Sequence, residues 1–276
     1  MIPNIFHFVC IGDKPFSLID YLAVKSAAVV NRPEQIFCYY ERPPSGIWWE
    51  KALRYLEPVP VVPPAAIGGQ PLLHPAHKAD VIRLQKLIEH GGVYLDLDVI
   101  CVRPFAPLYQ HAFVLGRQGE QWIAGLGNAV ILSEPEAHFA RKWLEGFDPA
   151  TSHWHGFRSR GRDEHWDELS VRYPLFLAER YPEHIHILGH KHFYWPSYHR
   201  SHLVLLFEQR WDTFDESFCH HLWATHSWDD YLQHISPEFI LNADCNFSRI
   251  ARTFLLDEEL EPYSPHGCRC STCWQF

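Results

Sequence analysis

The sequence predicts an α/β fold in which helices flank a mixed central sheet. Three observations predict it. Strand-like and helix-like segments alternate from residue 4 to residue 145. Residues 79 to 90 place Val81, Leu84, Leu87 and Ile88 at three- and four-residue spacings, as one apolar helix face requires. Gly91 and Gly92 then suit the left-handed turn that ends a helix, and residues 93 to 99 alternate with period two.

The elements follow in order. Residues 4 to 11 read as the first strand and residues 17 to 31 as a helix. Ile36 to Tyr40 is a second strand, and residues 47 to 56 form a short helix carrying Trp48 and Trp49. Pro58 to Pro75 is rich in Pro and Gly and is expected as a surface loop. After the 79–90 helix and the 93–99 strand, Arg103-Pro104-Phe105 turns the chain. Phe113 to Gly116 and Asn128 to Leu132 are strands, and Glu136 to Glu145 is a helix introduced by Ser133-Glu134-Pro135. Residues 149 to 167 are polar, either an acceptor-side or lid segment or a solvated loop. Residues 168 to 181 are helical, Ile185 to Leu188 leads to Phe193-Tyr194-Trp195-Pro196, and Phe239 to Leu255 is an interrupted helix. The expected organisation is one catalytic domain over residues 1–255 and a Cys-rich tail over residues 256–276.

Composition narrows the class. The 276 residues are 47 % hydrophobic and 21 % charged, so a sizeable core is expected. A net charge of −9 argues against a nucleic-acid partner. No run approaches the roughly 18 apolar residues of a membrane span. The start lacks a basic segment and a signal-length apolar stretch, which favours a cytoplasmic location, in a bacterium or a virus-infected cell. Cys10, Cys38, Cys101, Cys219 and Cys245 are scattered and read as reduced core thiols. Cys268, Cys270 and Cys273, near His266, could make a structural zinc site or lie in a tail of free thiols.

The chemistry lies in Asp96-Leu97-Asp98. Period-two alternation puts Tyr94, Asp96 and Asp98 on one side of the strand, with Val93, Leu95, Leu97 and Val99 on the other. Asp80 and Arg83, three apart, share a face of the preceding helix. Hard cations such as Mn²⁺ and Mg²⁺ take one or two carboxylates plus phosphate oxygens, so the pair suits a divalent cation carrying a diphosphate. The plain alternatives are a solvated strand end for Asp96 and Asp98, and a helix ion pair for Asp80 and Arg83.

The segment from His77 to Phe105 resembles the glycosyltransferase family with a DXD-containing sugar-binding region. Its relatives include outer-chain mannosyltransferases, α-1,4-glycosyltransferases and large glucosylating toxins. Looser support comes from Ile2 to Gly12, Gly127 to Val130 and His221 to Trp228. The resemblance implies a GT-A nucleotide-sugar-binding fold, a nucleotide-sugar donor, Mn²⁺ or Mg²⁺, and transfer with retention. A UDP-sugar is favoured over a GDP-sugar, and the acceptor is a carbohydrate, lipid-linked or protein hydroxyl. It further implies Asp98 as direct metal ligand and Asp96 at the metal through water or at the donor. Asp80 and Arg83 would hold donor hydroxyls and the diphosphate. Phe8, Val9, Cys10 and Tyr94 would lie near the nucleotide, and Asn128 near the donor sugar. Ser227 and Trp228 would close over the diphosphate, with His221 or His226 completing the metal shell. Relatives usually carry a tryptophan where this chain has Cys10; another aromatic could stack on the base in its place, with Phe8 or Tyr39 as candidates. Two other readings stay open: a degenerate sugar-nucleotide-binding protein, and a D-x-D phosphohydrolase.

Overall fold

The computed structural model describes residues 1–120, 125–210, 214–255 and Glu259. Strand β1 (Ile5–Cys10) lies at the middle of the molecule because both of its faces are apolar or buried. Phe6, Phe8 and Cys10 point into one core and Val9 into the other. Helix α1 (Leu18–Asn31) starts at a reciprocal cap: the Asp20 N–H donates to the Ser17 hydroxyl, and the Ser17 N–H donates to the Asp20 carboxylate. Strand β2 (Gln35–Tyr40) pairs in parallel with β1. Helix α2 (Ile47–Ala52) is shorter than its pattern suggests.

The Pro-rich stretch after α2 is a correction to the expected loop. It forms β3 (Glu57–Pro60), parallel to β2, and a small hairpin of β4 (Ala66–Ile67) and β5 (Gln70–Pro71). Pro58 and Pro60 are tolerated because β3 is the sheet edge, where a missing N–H can face outward. Helix α3 (Pro75–His90) begins a turn earlier than its apolar face indicates. Pro75 sits in the first turn, and the His74 ring accepts the Ala76 N–H at 3.2 Å.

After α3 come β6 (Gly92–Leu95) and β7 (Val99–Cys101). This replaces the single expected strand over 93–99: Asp96-Leu97-Asp98 is a turn, closed by the Val99 N–H on the Asp96 carbonyl at 3.1 Å. Strands β8 (Phe113–Arg117) and β9 (Leu126–Ser133) form an antiparallel pair. Helix α4 (His138–Glu145) starts after Glu136, whose φ is +61°. Residues 168–172 form a wide π turn before α5 (Tyr173–Arg180). Then follow β10 (His186–Leu188), α6 (Arg200–Phe207), β11 (Cys219–His221), α7 (Ala224–Ser227), α8 (Pro237–Asn242) and α9 (Asn246–Arg252). The last two helices are the interrupted C-terminal helix of the sequence reading.

The main sheet has the order β10-β8-β9-β6-β1-β2-β3, and β6 and β8 are each antiparallel to β9. Strand β7 leaves this sheet and pairs antiparallel with β11. One core joins α1, α2, α8 and α9 to the sheet, and the other lies under α3, α4 and α5. Glu259 returns to α1, where its carboxylate accepts from Lys25 and Tyr21, so the buried Lys25 ammonium is paired. The Cys268, Cys270 and Cys273 zinc expectation lies outside the described residues. No described helix is long and apolar enough to cross a membrane.

Gly92 is fixed by sterics. Its φ is +104°, and a Cβ would fall 2.3 Å from the Ile5 carbonyl oxygen of β1. Gly92→Ala is therefore expected to destabilise the fold by at least about 2 kcal/mol, read from the denaturant midpoint.

Candidate active site

The C-terminal ends of β1 and β6 open on a cleft of about 1360 Å³. Helix α3 supplies Asp80 and Arg83 to its floor, and the β6–β7 turn supplies Asp96 and Asp98. Arg83 is buried, with its guanidinium 3.2 Å from Asp80 and 3.4 Å from Asp96. It also donates to the Asn128 carbonyl at 2.7 Å and lies 4.3 Å from the Tyr94 ring centre. The Asn128 side chain donates to Asp80 at 2.8 Å, which closes the ring of contacts. Burial pushes the Asp80 carboxyl above its ordinary range despite the Arg83 charge beside it. Tyr94 holds Asp96 with a 2.6 Å hydrogen bond from its hydroxyl.

Asp98 is held from the other side. The β7–β11 ladder continues through the Leu222 N–H on the Asp98 carbonyl at 2.8 Å. Trp223 then adopts φ +57°, a conformation a bulky side chain rarely takes. The resulting turn directs the Ala224 N–H to the Asp98 carboxylate at 2.7 Å. His221 Nε2 lies 3.3 Å from the same carboxylate. Burial works against the Asp98 charge, but His221 and the Ala224 N–H outweigh it and hold the carboxyl below its usual range. In return, His221 is raised above an ordinary histidine, against its own burial.

Candidate ligand atoms of Asp96, Asp98 and His221 lie within 4.8 Å of one another. Two carboxylates and one imidazole fit a divalent cation such as Mn²⁺ or Mg²⁺, with room left for phosphate and water. His226 lines the cleft but lies outside this group; its ring stacks on Tyr198 at 5.0 Å.

The remaining expected residues divide. Val9, Cys10, Asn128 and Trp228 line the cleft. Phe8 does not: it is fully buried on the opposite face of β1 from Val9, because alternation sends it into the core. Tyr39 is likewise buried, against His7, so neither ring is free to stack on a base. Tyr94 lies under the cleft and reaches it through Asp96. The buried Ser227 hydroxyl donates to the Leu222 carbonyl at 2.6 Å, which shapes the turn after β11. Cys10 stays a thiol, with burial raising it to about 11.

The sequence reading missed Lys14 and Asp20, which line the cleft near the end of β1, and Tyr198 and Trp166 on its far wall. Of these, only Trp166 lies in a segment the sequence singles out for the site, the polar 149–167 stretch. From the polar 149–167 segment, Asp163, Glu164, Trp166 and Asp167 also reach the wall.

With this geometry, comparison with known proteins is decisive. The profile described as "glycosyltransferase sugar-binding region containing DXD motif" matches residues 66–115. Glucan organizing enzyme 1 of Cryptococcus neoformans var. grubii serotype A is 30 % identical over 281 residues, 95 % of this chain and 73 % of that protein. The chain belongs to this glycosyltransferase family. The galactosyltransferase LgtC, solved with donor and acceptor sugar analogues, superposes with a TM-score of 0.50. It covers 92 % of this chain and 98 % of its own at 10 % identity, and shows the same GT-A fold. The glycosyltransferase is thus an enzyme of glycosyl transfer. Its matched relative is fungal, so the expected bacterial or viral source has no support.

Behind the cleft, Glu168 is held as a carboxylate by an ion pair. The Arg158 guanidinium lies 2.8 Å from the buried Glu168 carboxylate and holds it below the usual range. A depressed carboxyl contributes stability above its unfolded-state pKa and loses it as pH falls through the folded value. Glu168→Gln is expected to lower stability at pH 7 and to flatten its decline below pH 4.5, measured by urea unfolding across pH.

Proposed function

We propose that this glycosyltransferase moves a sugar from a nucleoside diphosphate donor to a hydroxyl acceptor with retention of configuration, using Mn²⁺ or Mg²⁺. UDP is favoured over GDP as the carrier. The acceptor is a carbohydrate, lipid-linked or protein hydroxyl, and the name of the fungal relative favours glucan or another polysaccharide. The observation that carries this reading is the meeting of Asp96, Asp98 and His221 at one point of the cleft. A carboxylate floor would repel a diphosphate, and a divalent cation reverses that sign.

Asp98 and His221 would hold the cation directly, with Asp96 beside them. A bound cation supplies Lewis-acid stabilisation to the departing nucleoside diphosphate. The protein side chains do the rest. Asp80, fixed by Arg83 and Asn128, accepts hydrogen bonds from donor-sugar hydroxyls. Asp96, fixed by Tyr94, meets the ribose or sugar. Arg83 keeps both carboxylates in place and presents permanent positive charge below the diphosphate. Val9 and Cys10 border the base, and Trp228 covers the diphosphate. Preorganised groups of this kind lower the barrier because they need no rearrangement as charge develops.

Thermal unfolding with Mn²⁺ and UDP, GDP or neither tests the donor site. Ligand at a hundred times its Kd adds about 2.7 kcal/mol, a rise of roughly 5 °C at this chain length. The expected result is a Mn²⁺-dependent rise with UDP that is absent in Asp98→Ala. No rise with either nucleotide would sink the reading. His221→Ala is expected to abolish the Mn²⁺ dependence and His226→Ala to retain it; the reverse pattern would move the third ligand to His226.

A further inference from the structure

Among the described residues, eight large hydrophobic side chains remain exposed, and two of them, Tyr198 and Trp228, are aromatic. Both line the cleft; the other six do not. Exposed aromatic area confined to one cleft points to a ligand, since isolated surface apolar groups are otherwise scattered. Trp228 already has a place in the donor reading. Tyr198 has none.

Tyr198 is held rigidly. Its ring stands edge-on to Trp223 at 5.3 Å, lies on His226 at 5.0 Å and meets His199 at 4.6 Å. Trp223 in turn contacts His221 at 4.2 Å, so one buried ring separates Tyr198 from the metal-binding cluster. The residue is 38 % exposed and lines the cleft.

The charge of the cleft narrows the ligand. Asp163, Glu164 and Asp167 line the cleft; of the cations nearby, Arg172 is paired with Asp167 at 3.0 Å and Arg162 lies over the Trp166 ring at 5.9 Å. Burial keeps the His226 ring below the ordinary histidine value, so it is neutral near pH 7. Carboxylates outnumber cations along the cleft, so it disfavours a carboxylate, sulfate or phosphate group on the ligand. An aromatic face carries negative quadrupole charge and suits the positively polarised C–H face of a pyranose ring.

We propose that Tyr198 is the acceptor platform, on which an uncharged pyranose ring stacks while its hydroxyl faces the donor sugar. The inference rests on the transferase reading and adds the class of acceptor: a neutral glycan, not an acidic one.

The test is saturation-transfer NMR and titration of the protein loaded with UDP and diamagnetic Mg²⁺, using malto-, laminari- and mannohexaose, and oligogalacturonate as the acidic control. At least one neutral hexasaccharide is expected to bind, and the acidic one not. Tyr198→Ala is expected to weaken neutral binding about tenfold, in keeping with an aromatic contact of about 1.5 kcal/mol. Tyr198→Phe and Tyr198→Trp are expected to retain it, because they keep a ring. The Mg²⁺–UDP thermal shift should be the same in all four proteins, which also certifies their folding. Neutral binding unchanged in Tyr198→Ala, preferred binding of the acidic control, or no glycan binding by a wild type that holds Mg²⁺–UDP would each overturn the proposal. Failure of the nucleotide shift in wild type would instead count against the donor site, and is read separately.

Discussion

Asp80, Asp96 and Asp98 converge on the floor of one cleft, and their mutual repulsion has to be offset by the surrounding structure. Two devices do so from opposite sides. Arg83, rooted in α3, lies between the buried Asp80 and the half-buried Asp96. His221 and the Ala224 N–H, presented by β11 and the turn after it, hold Asp98. Removing one partner of the buried Asp80–Arg83 pair leaves a charge uncompensated, at a cost of about 3–5 kcal/mol. The position of α3 against the sheet and the departure of β7 toward β11 therefore serve the same electrostatic requirement.

That requirement also explains the backbone irregularities near the site. The chain has to leave the main sheet at Asp96, because a continued strand could not bring Asp98 to β11. It has to turn sharply at Trp223 so that an N–H, not a carbonyl, faces Asp98. Strain of about 1–3 kcal/mol at such a residue persists only where its surroundings determine it, and here Trp223 is also fixed by its indole N–H on the Pro196 carbonyl.

Local chemistry was well marked along the chain. The strand over residues 4 to 11, the helix over 17 to 31 and the Gly-Gly break before β6 are each short-range features, and each element formed close to its expected place. The segments that departed from expectation answer to distant neighbours. Pro58 and Pro60 could join a strand only because β3 lies at the sheet edge. Phe8 and Tyr39 were candidates for base stacking as isolated residues, but sheet pleating and two-sided burial withdrew both.

The sequence by itself determined the α/β class, the pairing of Asp80 with Arg83 on one helix face, and Asp96 with Asp98 in one short motif. The helix pair depends on a three-residue spacing that backbone geometry fixes locally, and the motif on sequence adjacency; the turn that orients its two carboxylates was not legible. Only the tertiary structure decided between His221 and His226 as the neighbour of Asp98. Only it placed Tyr198 on the cleft wall and turned Arg83 into the shared partner of two carboxylates. Those outcomes depend on which strands pair and which helix packs on which face, and residues more than a hundred positions apart carry no local signal of that pairing.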